Sequence, residues 1–152
     1  MRASGAPCTL TLMGLGAYPA SDKQFVGMLG MHGTYEANLA MHDCDVMVAV
    51  GARFDDRITG RIDLFSPNSK KIHIDIDPSS VNKNVAVDLP IIGDVGSVLT
   101  DLLEAWRSEP TKQDKRALEN WWVPAENQVG MEQGLGKGFY YQMAGFENGR
   151  LQ

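Results

Sequence analysis

The stretch "LPIIGDVGSVLTDLLEAW", residues 89–106, predicts one strand followed by one helix and decides the fold class. Its first part, "LPIIGD" (89–94), is a short apolar run that ends at glycine and aspartate, as buried strands often do. Asp94 then precedes a stripe of apolar side chains at helical spacing and is expected to cap the helix. The members of that stripe are Val95, Val98, Leu99, Leu102, Leu103 and Trp106.

The same alternation extends towards the N-terminus. The runs at 8–16, 45–51 and 70–77 are typical of short strands, and residues 34–44 have apolar side chains at helical spacing. Strands that alternate with helices indicate βαβ units, hence a parallel sheet covered on both faces. The sequence therefore predicts an α/β fold with an open, doubly wound, Rossmann-like parallel sheet.

The C-terminal part has a different pattern. Residues 115–122, "KRALENWW", can form one more helix, whereas residues 123–152 contain six glycines and no sustained period. We therefore expect one domain over residues 1–122 and a loosely ordered tail over residues 123–152.

Composition excludes several classes of partner. A net charge of −5 argues against nucleic acid or an anionic membrane, because both require a basic face. The sequence has no apolar run long enough to span a bilayer, and its start does not resemble a secretory signal, so a cytoplasmic protein is expected. Cys8 and Cys44 form no C-x-x-C pair and are expected to be buried free thiols.

Ligands of open parallel sheets bind beyond the carboxyl ends of the strands, where this sequence has glycine beside aspartate or arginine. Arg53 and Arg57 are candidates to hold a diphosphate through charge-assisted hydrogen bonds. Asp75 or Asp94 could accept a hydrogen bond from a ribose hydroxyl. Together these residues predict a small, nucleotide-like ligand that contains a diphosphate.

Each of these features also has a structural interpretation. Glycines at strand ends can simply terminate strands, and the charged residues 53–57 can form a solvated salt-bridge cluster. His73 and Asp75 lie on one face of a predicted strand, but no third ligand has suitable spacing, so no metal is expected.

Five blocks, in order along the chain, resemble one enzyme family. They are "TLMGLGAYPASD", "GMLGMHGTYEANLAMHD", "GARFDDRITG", "KKIHIDIDPSSVNKN" and "PIIGDVG". Together they resemble the central domain of the large catalytic subunit of acetohydroxyacid synthase (acetolactate synthase), a thiamine diphosphate enzyme. The resemblance covers roughly residues 4–106.

The resemblance implies that this domain binds FAD in an extended pose and that the flavin has a structural role. It implies that the glycine-rich loop at 27–33 clears space for the flavin dinucleotide. The positions that it places at the cofactor are Thr11, Leu12, Met13, Gly30, Met31, His32, Gly33, Gly51, Arg53, Asp55, Arg57 and Ile58, with Asp75 and Ile76 near the adenosine and Gly93, Asp94 and Val95 completing the set. Four positions also resemble residues that line the family's substrate channel: Met31, His32, Asp56 and Arg57.

The sequence also departs from the family. In the full enzyme the chemistry belongs to two other domains, one of which holds thiamine diphosphate through Mg²⁺ at a GDG…N motif. That motif does not occur here, and the first βα unit of the central domain is expected to be missing before residues 8–12. We therefore expect no thiamine diphosphate or Mg²⁺ site, and no acetolactate synthesis by this chain alone.

Two further functions remain open from the sequence. One is a small serine-type esterase that uses a cavity left open by missing neighbours, although no G-x-S-x-G motif is present. Its candidate residues are Ser21, Ser66, Ser79, Ser80 and Ser97 with His32, His42 or His73. The other is a non-catalytic interaction module, because an uncovered apolar surface favours a homo-oligomer.

Overall fold

The structure, a computed structural model, describes residues 1–108, 116, 118–119, 139–143, 146–147 and 150–151. Six parallel strands form one sheet in the order β2-β1-β6-β3-β4-β5. These strands are β1 (Cys8–Leu10), β2 (Phe25–Met28), β3 (Val46–Val50), β4 (Lys70–Asp75), β5 (Leu89–Ile92) and β6 (Phe139–Met143). The helices are α1 (Tyr35–Asp43), α2 (Asp56–Thr59) and α3 (Val95–Ser108), and β7 (Phe146–Glu147) pairs antiparallel with β8 (Arg150–Leu151).

Helices cover both faces of the sheet, as a doubly wound fold requires. Met47 and Ala49 of β3 share a buried cluster with α1. Val48 and Val50, which point to the other face, share a second cluster with Val95 of α3. Because side chains alternate across a strand, α1 and α3 lie on opposite faces of β3. This arrangement confirms the predicted α/β fold class.

The first strand is shorter than predicted. It ends at Leu10, and the Thr11 hydroxyl accepts a hydrogen bond from the Gly14 N–H over 3.1 Å, which starts a 3₁₀ turn at Leu12–Gly14. Threonine side chains that bond the backbone locally compete with strand pairing. The chain therefore leaves the sheet at Thr11 and forms part of its carboxyl edge.

Two strands of the six-stranded sheet were not predicted, and neither was the short pair β7 and β8. β2 is short and contains Gly27, whose φ of +114° is rare for other residues. β6 lies in residues 123–152, where we expected a loosely ordered tail, and its backbone instead pairs in parallel with both β1 and β3. Residues 123–138 lie outside the described residues, so the expectation for them and the domain boundary after residue 122 stay predictions. Of the predicted helix at 115–122, the described residues 116 and 118–119 are helical.

The helix α3 begins as predicted. The Asp94 carboxylate accepts a hydrogen bond from the Ser97 N–H over 3.0 Å, so Asp94 caps the helix. Val95 is fully buried, whereas Leu102 and Leu103 are more than a third exposed, beside a groove of about 390 Å³ against the sheet.

Cys8 and Cys44 are buried free thiols, which confirms that prediction. In the part of the chain that the structure describes, no helix combines the length and the apolar character needed to cross a membrane.

Candidate functional site

A cavity of about 470 Å³ opens at the carboxyl ends of β1, β2 and β3. The chain runs from β1 to β2 on one side of this point and from β3 to β4 on the other, so the strand order reverses here. Open α/β sheets bind their ligands at such a point. The β1–β2 wall consists of Thr11, Leu12, Met13, Met28, Leu29, Met31 and His32, and the β3 wall of Gly51, Ala52, Arg53, Asp55, Arg57 and Ile58.

The β1–β2 wall exposes large apolar side chains to solvent. Leu12, Met13 and Met31 are each about two-thirds exposed. Clustered apolar side chains that remain exposed beside a cavity mark a binding surface, since their burial by a ligand is favourable. This wall therefore suits an apolar group.

The β3 wall carries two guanidinium groups, those of Arg53 and Arg57. The Arg57 Nε lies 3.9 Å from an Asp56 carboxylate oxygen, and both side chains are mostly exposed, so this ion pair is weak. Arg53 forms no ion pair within the described residues. The salt-bridge cluster considered above thus reduces to one long contact, and Arg53 is available to an anion.

The backbone that carries Arg53 is held by residues that sequence reasoning missed. Asn84 donates from its amide nitrogen to the carbonyl oxygens of Arg53 and Phe54, over 3.3 and 3.0 Å. Phe54 has a φ of +52°, and its buried ring packs edge-on against the rings of Phe65 and His73. A single phenylalanine within a charged stretch could have indicated this anchor. Asn84 gave no such signal, because it lies about 30 residues further along the chain.

Asp55 has a structural role in addition to its place in the cavity wall. Its carboxylate accepts a hydrogen bond from the Arg57 N–H over 3.1 Å and caps the short helix α2. This turn directs the Arg57 and Ile58 side chains to the cavity.

The glycine loop behaves differently from the expectation. A Cβ on Gly30 would lie 2.6 Å from the Arg57 carbonyl oxygen, and one on Gly33 would overlap the backbone of Met28 and Leu29. The chain itself, and not a ligand, therefore fills the space beside these two glycines. Both are required because two backbone segments approach each other closely.

The structure brings together ten of the predicted cofactor positions along the cavity: Thr11, Leu12, Met13, Met31, His32, Gly51, Arg53, Asp55, Arg57 and Ile58. Of the predicted substrate-channel residues, Met31, His32 and Arg57 line it, and Asp56 does not. The predicted positions that do not line it are Gly30, Gly33, Asp75, Ile76, Gly93, Asp94 and Val95.

Five of the positions outside the cavity lie further along the same edge of the sheet: Asp75, Ile76, Gly93, Asp94 and Val95. The Gly51 N–H donates to the Ile74 carbonyl oxygen over 2.7 Å, and the Gly93 N–H donates to the Asp75 carbonyl oxygen over 3.0 Å. These bonds place the ends of β3, β4 and β5 in a row. A ligand longer than the cavity could therefore extend from Gly51 towards Gly93.

The Asp75 side chain is already engaged by the protein. One carboxylate oxygen accepts from the Asp77 N–H over 2.9 Å, and the other lies 3.5 Å from His73 Nε2. Burial lowers the pKa of His73, and the Asp75 carboxylate opposes that shift. The ribose contact suggested for Asp75 stays a prediction. Among the described residues no three His, Cys, Asp or Glu side chains lie close enough together to hold a metal ion.

The serine and histidine candidates for an esterase do not form a catalytic pair. Ser66 bonds Ser69 and contacts Cys44, while Ser79 and Ser97 bond neighbouring aspartates. No hydrogen bond joins a candidate serine to a histidine in the described part of the chain, so nothing supports this alternative.

Comparison with known families decides the assignment. The family model described as "Thiamine pyrophosphate enzyme, central domain" matches residues 1–102, about two-thirds of the chain. The chain belongs to this family. The matched region of this central domain contains β1 to β5, both walls of the cavity and the first half of α3. β6 lies outside it.

Individual relatives of the central domain carry one name. An "Acetolactate synthase large subunit" from Haemophilus influenzae is 54% identical over 116 residues, which are 76% of this chain and 20% of the relative. "Acetolactate synthase isozyme 3 large subunit" from Escherichia coli is 48% identical over 83% of this chain and 22% of its own length. A "Probable acetolactate synthase large subunit" from Methanocaldococcus jannaschii is 50% identical over 74% and 19%. The chain thus spans about a fifth of the length of the relatives that it matches.

Proposed function

We propose that this central domain binds a flavin dinucleotide, FAD, at the cavity between its two walls. FAD joins an apolar ring system to a diphosphate and an adenosine, so its site needs an apolar surface, a cation and an elongated edge. The exposed side chains of the β1–β2 wall, the guanidinium of Arg53 and the row from Gly51 to Gly93 supply these three. The cavity volume of about 470 Å³ is within the range of roughly 300–1,000 Å³ usual for ligand sites.

One observation carries the proposal: Arg53, unpaired among the described residues, lies in the same cavity as exposed apolar residues. A site for a purely apolar ligand would have no use for an exposed guanidinium without an ion-pair partner among the described residues. A site for a simple anion would not require the exposed leucine and methionines. An amphipathic ligand with a phosphate group satisfies both.

We also propose that the domain gives FAD a place to bind and contributes no catalytic group to acetolactate formation. Flavin chemistry is the transfer of electrons through its ring system, and the formation of acetolactate from two pyruvates needs no net electron transfer. Residues of the two walls then hold the cofactor and shape the cavity. Their contribution is binding and orientation.

The experiment is a titration of the purified chain with FAD, riboflavin and ADP, followed by flavin fluorescence or calorimetry. FAD is expected to bind more tightly than riboflavin, which lacks the diphosphate. Arg53→Gln should weaken FAD binding about tenfold, the effect of losing one charge-assisted hydrogen bond, and should leave riboflavin binding unchanged. Arg107→Gln, on the exposed end of α3, is the matched control and should change neither affinity.

Equal affinities for FAD and riboflavin would contradict the role given to Arg53. Absence of saturable FAD binding would contradict the proposal itself. A second assay tests the proposal that the domain contributes no catalytic group. With pyruvate, thiamine diphosphate and Mg²⁺ added, the chain should form no acetolactate above the rate in buffer. Acetolactate formation that depends on the chain would overturn that proposal alone.

A further inference from the structure

The position of β6 in the sheet is unusual for its place in the sequence. A common doubly wound order is 3-2-1-4-5-6, in which the first strand of the chain lies at the centre. Here β1 and β2 take the places of strands 2 and 3 of that order, and β3, β4 and β5 take the places of strands 4, 5 and 6. The central place of the first strand is taken by β6, the last of the six strands of this sheet along the chain.

β6 pairs with two strands, β1 on one side and β3 on the other, and does so along the whole length of each. On one side Cys8, Thr9 and Leu10, all of β1, lie opposite residues 141–143. On the other side all five residues of β3, Val46–Val50, lie opposite residues 139–143. The residues of β1 and most of β3 are buried, so unpaired backbone groups along these edges would be costly.

The other five strands of the sheet come from an earlier part of the chain. The region that matches the family ends at residue 102, and thirty further residues, 109–138, separate the end of α3 from β6. The gap between β1 and β3 is therefore formed by one part of the chain and filled by a distant one. Such a pairing is a binding event in which main-chain hydrogen bonds supply affinity.

We propose that the gap between β1 and β3 is a binding site for one parallel strand, and that residues 139–143 of the same chain are its detachable ligand. The segment completes the sheet by occupying the central position. The same gap accepts that sequence when it is supplied as a separate peptide.

The strand also lies between the two walls of the cavity. Thr11 follows β1 and Gly51 follows β3, and β6 is the strand that separates them in the sheet. Occupation of the gap therefore sets the separation of the walls. The test of strand binding needs no flavin and is independent of the function proposed above.

The experiment uses the full chain with a protease recognition sequence inserted after Gly130, cleaved after folding. The C-terminal fragment should stay with the domain on native size-exclusion chromatography, at the elution volume of the uncleaved chain. A labelled synthetic peptide of residues 137–145, added in excess, should replace it.

Gln142 supplies the matched pair of variants, because its backbone lies opposite both Thr9 and Ala49. Gln142→Pro removes the amide hydrogen that a central strand needs, and should weaken retention of the fragment by about tenfold or more. Gln142→Ala keeps the amide and should retain the fragment as the unsubstituted chain does.

Hydrogen exchange on the uncleaved chain gives a readout that needs no variant to fold. The amides of residues 139–143 should exchange as slowly as those of Val46–Val50. Fast exchange there, immediate loss of the fragment after cleavage, or equal retention of the two Gln142 variants would overturn the proposal. Elution of the uncleaved chain at the mass of two chains, with the segment of one copy cross-linked to the gap of the other, would overturn the assignment of the segment to its own chain.

Discussion

Met31 donates its backbone N–H to the carbonyl oxygen of Arg57 over 2.8 Å, and this bond joins the two walls of the cavity. Gly30 makes the bond possible, since a side chain at this position would lie against the same oxygen. One close backbone contact thus fixes the relative positions of two side chains that line the cavity.

Replacement of Gly30 tests this contact. Gly30→Ala introduces a side chain at a φ of +92° and also places a Cβ 2.6 Å from the Arg57 oxygen. Gly16→Ala is the matched control, because Gly16 has a φ of +100° but no atom within 4 Å of its Cβ position. We expect Gly30→Ala to lower the free energy of unfolding by about 1–3 kcal/mol more than Gly16→Ala, as overpacking does. Equal losses in urea unfolding would show that the close contact is not important.

Asn84 does not line the cavity, but it is predicted to affect both the stability of the fold and ligand binding at the cavity. Asn84→Ala removes two hydrogen bonds to the backbone at Arg53 and Phe54 and should cost about 1 kcal/mol of stability. It should also weaken FAD binding, because the Arg53 backbone is no longer held. Asn68→Ala, at another exposed asparagine, should change neither quantity. Urea unfolding and flavin titration measure the two effects, and unchanged binding by Asn84→Ala would contradict the positioning role.

The two thiols are predicted to be unreactive in the folded chain. Burial raises the pKa of Cys8 to about 12 and that of Cys44 to about 11, so little thiolate exists near neutral pH. A thiol-disulfide reagent added at mildly alkaline pH should label neither cysteine until urea unfolds the protein. Rapid labelling of either cysteine in native buffer would mean that its strand or helix opens readily.

The stability of the fold is predicted to depend on His73 in mildly acidic solution. Burial lowers the pKa of His73 below its ordinary value of 6.5, so between the two values the unfolded chain binds more protons than the folded one. The free energy of unfolding should therefore fall as the pH falls from 6.5 towards the lowered value. His73→Gln should flatten this dependence, whereas His42→Gln, at an exposed position, should not. Identical pH profiles for these two variants would exclude His73 as the cause.

The fold could be predicted as far as its signals are local. The apolar runs that became β3, β4 and β5 and the stripe that became α3 lie in single stretches with a clear period. β2 was missed because Gly27 interrupts a run of only four residues, and β6 was missed because glycines surround it. The reason for β6 is the gap between β1 and β3, which no local window contains.

The candidate site, like the fold, could be predicted only where the signal lies within one short stretch of sequence. The positions of Arg53 and Arg57 at the end of β3 followed from the rule for parallel sheets. The function of Gly30 and the bond from Asn84 to Arg53 did not, because each depends on a partner far along the chain. The glycine pattern was visible in the sequence, but it could not say whether a ligand or the backbone of Arg57 fills the space.

The measurement that tests the assignment of the cavity most directly is hydrogen exchange of the whole chain with and without saturating FAD. Binding at the proposed site predicts slower exchange in residues 11–14 and 51–58 on the two walls, with a smaller effect at residues 75–77 and 93–95. Slower exchange confined to another part of the chain, such as α3 and its groove, or no change at saturation, would contradict the assignment.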